Sequence, residues 1–225
     1  MNPLARLFGS TIGKKAVMAV TGFILVGYLV LHMLGNLKAF QGSEALDAYA
    51  HHLRVLGEPI LGNGQALWLV RLVLLASVGL HIWSAAALTV RNRTARPVGY
   101  KKFASETSTF ASRTMVWGGV IIALYVIYHI LHFTTGQAHA DFRPGAVYAN
   151  VVHAFRSWPV AGVYIFTNLV VGLHLYHGFW SALRTLGANN PQFEGLRRGA
   201  AAAAALVITA GFISVPAAVL AGFIR

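Results

Sequence analysis

The chain contains no cysteine, and of its 225 residues only six are acidic. The first absence excludes disulfides, thiolate-held iron–sulfur clusters and covalently attached c-type haem on this chain. Any metal centre must therefore rest on histidine, of which there are ten. The acidic residues are all missing from the long apolar runs, which removes the carboxylate partners expected along a polar pore. Charged residues of either sign make up only 11%, against 56% hydrophobic, and the mean hydropathy is +0.61. That balance is too apolar for a water-soluble domain and places the chain in the membrane class. The formal charge of +12 is not a nucleic-acid footprint, because the basic residues cluster beside the apolar runs.

Five apolar segments are apparent, at 15–34, 67–90, 114–134, 160–183 and 200–222. Each reaches about 20 residues, enough to cross about 30 Å of hydrocarbon as a helix. The first follows Lys14 and Lys15 like a secretory signal, but it is too long for a signal core and no small-x-small cleavage pattern follows it, so it reads as a retained helix. The fold expected is an all-α membrane protein, one domain over 1–225, with four helices forming a bundle and a fifth beside them. Arg6, Lys14, Lys15, Arg91, Arg93, Arg96, Lys101, Lys102, Arg113, Arg184, Arg197 and Arg198 fall on one side, 12 of the 18 basic residues. The positive-inside rule then sets the N-terminus in the cytoplasm and the C-terminus outside. Trp68, Trp117, Trp158 and Trp180 lie near segment ends, as interfacial anchors do. On the outer side, 43–56, opening on a capping-type Ser43, and 146–156 carry apolar stripes at helical spacing and read as short helices on the mouth of the bundle.

Six histidines lie in or at the edge of the spans: His32, His81, His129, His132, His174 and His177. One histidine in a membrane usually bonds a neighbouring helix. Their depths say more. His32 stands 17 residues beyond Lys15 and His129 stands 16 beyond Arg113, so both lie about 24–26 Å from the basic boundary. His81 and His174 each precede an arginine by ten residues, about 15 Å from the same boundary. Two helices thus contribute to each of two levels, which is what two bis-imidazole haems require. Ser77, Ser84 and Ala85 near His81, Gly178 after His174 and Gly35 after His32 leave room for a flat ring, though membrane helices also use small residues for close packing. His132 and His177 each lie three residues from a preferred ligand, so a shift within either helix stays open.

The segments TGFILVGYLVLHMLGNL (21–37), LHIWSAAAL (80–88) with NRTARP (92–97), YHILHF (128–133) and HLYHGFW (174–180) resemble the cytochrome b membrane anchor of succinate:quinone oxidoreductases and quinol:fumarate reductases, in its single-polypeptide, five-helix, di-haem form. The resemblance covers essentially the whole chain. It implies two haem b groups, an outer one on His32 and His129 and an inner one on His81 and His174, with His132 beside the ligand rather than serving as one. It further implies a flavoprotein subunit carrying FAD and an iron–sulfur subunit as partners, with electrons passing to menaquinone or another quinone, in a bacterial or archaeal cytoplasmic membrane. The chain alone would then not oxidise succinate. Neither the direction of catalysis nor any higher oligomer of the complex follows from the sequence.

A Ser-x-x-x-basic element, Ser10 and Lys14, resembles one near the quinone pocket of such anchors, although a helix cap beside topological charge explains it equally. A second candidate is the outer mouth, with His51, His52, His139 and His153, which read more simply as solvated loop histidines. The clusters Arg91–Lys102 and Arg197–Arg198 would dock a partner or meet haem propionates, but topology alone accounts for them. Two other functions compete: a cytochrome b of a formate dehydrogenase, hydrogenase or nitrate reductase, with the same bis-histidine physics, and a small transporter or proton channel with a histidine relay.

Overall fold

A computed structural model describes residues 8–95 and 110–225; Arg6, Arg96, Lys101 and Lys102 of the basic clusters, and the end of the NRTARP segment, lie outside the described residues. Among the described residues there is no strand. Five helices are long and apolar enough to cross a membrane: α1 (Thr11–Asn36), α3 (Gln65–Thr94), α4 (Phe110–His129), α6 (Trp158–Thr185) and α7 (Glu194–Leu220). Two shorter ones, α2 (Ser43–Val55) and α5 (Val147–Phe155), stand where the apolar stripes predict them.

The spans extend beyond the apolar runs because their ends are polar but still helical. α7 begins at Glu194 rather than near 200: Glu194 bonds Arg197 and Arg198, both at 2.7 Å, one and a little more than one turn later. It is the sole acidic residue of the five long helices and sits in the first turn of α7, where a carboxylate suits the helix dipole. The cap of α2 also differs from expectation. Ser43 is already helical, and Gly42, at φ +96°, makes the turn that precedes it. Leu56 falls past the helix end and is exposed, so the stripe ends at Leu53.

Packing follows a chain of neighbours. α3 packs on α1, α1 on α6, and α6 on α4, while α7 lies against α6 and, less extensively, α1. Neither diagonal, α3 with α6 nor α1 with α4, forms a packing contact of any extent among the described residues, and α3 does not pack on α4. At one end, Arg91 at the foot of α3 donates to the Gly9 carbonyl (3.2 Å) ahead of α1. At the other, α2 and α5 close the bundle together, with Asp47 accepting from the Tyr148 amide at 2.9 Å. Trp68, Trp117 and Trp158 are exposed, and Trp180 is partly covered by Arg184 and Arg198.

The α6–α7 seam depends on small residues, since lipid offers no hydrophobic drive to bring helices together. Ala161, Ala201 and Ala205 are buried in it, and Gly172 faces Thr209 so closely that a β-carbon would collide with the threonine side chain. Gly162, on the same helix, faces open space. Gly172→Ala should therefore destabilise the purified protein by about 1–3 kcal/mol in a denaturation series. Gly162→Ala should lose nothing; equal effects of the two would contradict this seam.

Candidate functional site

Imidazole rings meet across both unpacked diagonals. His32 of α1 and His129 of α4 have ring centroids 5.7 Å apart, and His81 of α3 and His174 of α6 have centroids 6.3 Å apart. These are the pairs that depth along the sequence predicts. An imidazole nitrogen sits about 2 Å from a bound transition metal and about 1 Å from its own ring centre, so two rings on opposite faces of one ion stand about 6 Å apart. Both measured separations match that value. The helices behind each pair share no extensive backbone packing, so the rings themselves bridge them.

Two glycines lie beside the inner rings. A β-carbon on Gly22 of α1 would stand 3.4 Å from Cε1 of His81, and one on Gly119 of α4 would stand 3.8 Å from Cε1 of His174. Gly22 precedes His32 by ten residues, and Gly119 precedes His129 by ten. On α6, Tyr164, whose ring lies against His129, precedes His174 by ten again. Three helices thus agree on a separation of about 15 Å between the two levels. The depth counts give only about 10 Å, because they take four separate basic residues on four helices as one common boundary.

The hydrogen bonds around the rings decide which nitrogen is free. Nδ1 of His81 faces the Met18 carbonyl at 3.1 Å and Oγ1 of Thr21 at 3.3 Å, and the Thr21 hydroxyl already donates to the Val17 carbonyl at 2.7 Å. Both partners act as acceptors here, so the neutral ring carries its proton on Nδ1 and keeps the Nε2 lone pair available. Nδ1 of His174 is buried with no partner among the described residues, and Oγ of Ser84, fully buried on α3, has none either. Nε of Arg197 and Oγ1 of Thr209 are buried without a partner in the same way.

At the outer level the buried Tyr164 hydroxyl reaches Nδ1 of His132 at 2.9 Å and Nδ1 of His129 at 3.4 Å. A phenol has one proton. It donates to one ring and accepts Nδ1–H from the other, so only one of the two histidines can offer a free Nε2. His129 is the ring that also faces His32, which makes it the ligand candidate and leaves His132 as the acceptor. The backbone widens to a π-turn over Ile130–Thr134, which follows His129 and contains His132, a feature the sequence does not signal. Tyr28, stacked on His32 with centroids 5.3 Å apart, and Phe212 complete an aromatic wall. His177 packs beside Trp180, without a histidine partner across the bundle.

The remaining small residues divide. Ser77 and Ser84 are buried on the face of α3 that turns inward. Gly35 accommodates Tyr49 rather than a ring ligand, and Gly178 faces open space. Ser10 caps α1 by accepting from the Gly13 amide at 2.9 Å, and Lys14 donates to the Gly9 carbonyl and lies over Trp83. Beside them is a cavity of about 360 Å³ bordered by Lys15, Trp180, Ser181 and Arg184. At the other mouth His51 and His52 are exposed, but His139 is buried and not solvated as expected. Its Nε2 donates to the Asn150 carbonyl (3.0 Å) and its Nδ1 accepts from the Asp141 amide (3.2 Å).

No group of three or more histidines, aspartates or glutamates gathers around a point among the described residues, whereas an axial pair needs only two ligands. Comparison with protein-family models, with curated proteins and with solved structures gives no match. The tautomer of His81 can be measured directly. In ¹⁵N-histidine-labelled protein, its neutral ring should give a protonated Nδ1; a protonated Nε2 would contradict the Met18 bond.

Proposed function

We propose that this chain is the membrane-embedded cytochrome b of a succinate:quinone oxidoreductase or quinol:fumarate reductase, carrying electrons between an iron–sulfur subunit and a quinone. The observation that carries the reading is the pair of imidazole contacts, 5.7 and 6.3 Å, at two levels across diagonals that do not otherwise pack. His32 and His129 would hold the outer haem b, and His81 and His174 the inner one. Haem, when bound, supplies a one-electron carrier at each level. The chain's own residues hold and orient its ligands. Met18 and Thr21 fix the His81 ring, Tyr164 fixes His129, and the glycines at 22 and 119 let the inner rings approach the neighbouring helices.

The basic residues at the α1 entry and the feet of α3 and α6 support a cytoplasmic position for that end, where the iron–sulfur and flavoprotein subunits would dock. Arg197 and Arg198 are already bonded to Glu194 within the chain, so a docking role falls first to the others. The quinone, menaquinone or a related one, is assigned to the same edge. Ser10 and Lys14 would serve it only by leaving their bonds to the first turn of α1, while Trp180 and Ser181 border a cavity beside them.

The purified protein should carry two haem b per chain, with a low-spin reduced-minus-oxidised spectrum. His81→Ala or His174→Ala should remove one, His32→Ala or His129→Ala the other, and His132→Ala should keep both. A folded protein without haem would overturn the reading. Co-purification of a flavoprotein with succinate-dependent quinone reduction separates this complex from other cytochrome b dehydrogenases. Tyr164→Phe should raise the midpoint potential of the outer haem alone, because His129 loses the acceptor that makes it more electron-donating. An equal shift of both would contradict the assignment of Tyr164 to His129.

A further inference from the structure

At the end closed by α2 and α5 there is a cavity of about 290 Å³ into which three arginines converge: Arg143 from the loop before α5, Arg156 at the end of α5, and Arg225. One carboxylate borders it, Asp141, and it faces His153 at 3.4 Å. The guanidinium groups of Arg143 and Arg156 make no hydrogen bond or ion pair among the described residues. Their backbone positions, by contrast, are held firmly. Buried Asn150 clamps Arg143, accepting from its amide at 2.9 Å and donating to its carbonyl at 2.8 Å. Tyr148 donates its hydroxyl to the Arg225 carbonyl at 3.1 Å, and the Arg225 side chain turns back to the Gly222 carbonyl.

We propose that this cavity binds the phosphate of an anionic phospholipid. Arginine presents a planar fork of donors that matches phosphate oxygens, and three such groups against one engaged carboxylate leave the cavity short of negative charge. The neighbours choose lipid over a free ion. Arg156 lies two residues from Trp158, which opens span α6 and is 73% exposed, and Arg225 lies two residues from Phe223, which is 85% exposed. Two of the arginines thus stand close in sequence to an exposed aromatic residue, and Trp158 is of the kind that belongs at the boundary of hydrocarbon and headgroups. A headgroup in the cavity leaves its acyl chains at that boundary.

The test uses the full chain, delipidated in a zwitterionic detergent, with native mass spectrometry after adding dioleoylphosphatidylglycerol, dioleoylphosphatidylcholine or inorganic phosphate. One phosphatidylglycerol should be retained in preference to phosphatidylcholine. The Arg143→Ala/Arg156→Ala variant should bind it about 10-fold more weakly. Lys38→Ala/Arg54→Ala, which removes the same charge elsewhere on this end, should leave retention unchanged, and circular dichroism should give wild-type helicity for both variants. Equal retention of the two lipids, undiminished retention by the first variant, an equal loss from the second, or displacement by inorganic phosphate at concentrations matching the lipid would each overturn the proposal.

Discussion

A histidine placed in hydrocarbon must find a partner for its polar nitrogens, and that requirement organises the bundle. Each imidazole of the two facing pairs is turned toward a second imidazole, and two of the four are also tied to their own protein by hydrogen bonds. His81 is tied by a main-chain carbonyl and a threonine, and His129 by a tyrosine. His174 keeps an unpartnered buried nitrogen, so the protein leaves that polar cost uncompensated within its own described residues. The four rings stand on the diagonals where the helices themselves fail to meet.

The helices carry this arrangement in a shared register. Ten residues separate the inner from the outer level on α1, α4 and α6 alike, as Gly22 to His32, Gly119 to His129, and Tyr164 to His174. A glycine stands at the level where the helix receives a ring from a neighbour, and the histidine at the level where it supplies one. This alternation gives α1 and α4 equivalent roles around the two levels. The fifth span takes no part in the ring pairs. It lies against α6 through a small-residue seam and brings Phe212 to the wall around His32.

The spans and the histidine pairing were legible in the sequence because hydropathy and helical rise are nearly context-free. Depth alone grouped His32 with His129 and His81 with His174, although it underestimated the distance between levels. What was illegible depends on contacts between distant segments. Gly22 and Gly119 look like ordinary membrane glycines until the ring each receives is in view, and Gly35, beside a histidine, serves Tyr49 instead. The choice between His129 and His132 rests on one hydroxyl, from Tyr164 on another helix, and on a π-turn that periodicity cannot reveal. His139 looks like a loop residue by position, yet Asn150 and Asp141 bury it and satisfy both its nitrogens. The helical start at Glu194 was hidden because charged residues read as a connection, when here they bond one another along the first turns of α7.

The proposed haem sites would put two iron ions between these histidine pairs, one above the other. Anomalous diffraction at the iron edge, from crystals of the purified protein, locates them directly. The account predicts two iron peaks per chain, one between His32 and His129 and one between His81 and His174, separated by about 15 Å along the helix axes. A single peak, or peaks away from these rings, would contradict it.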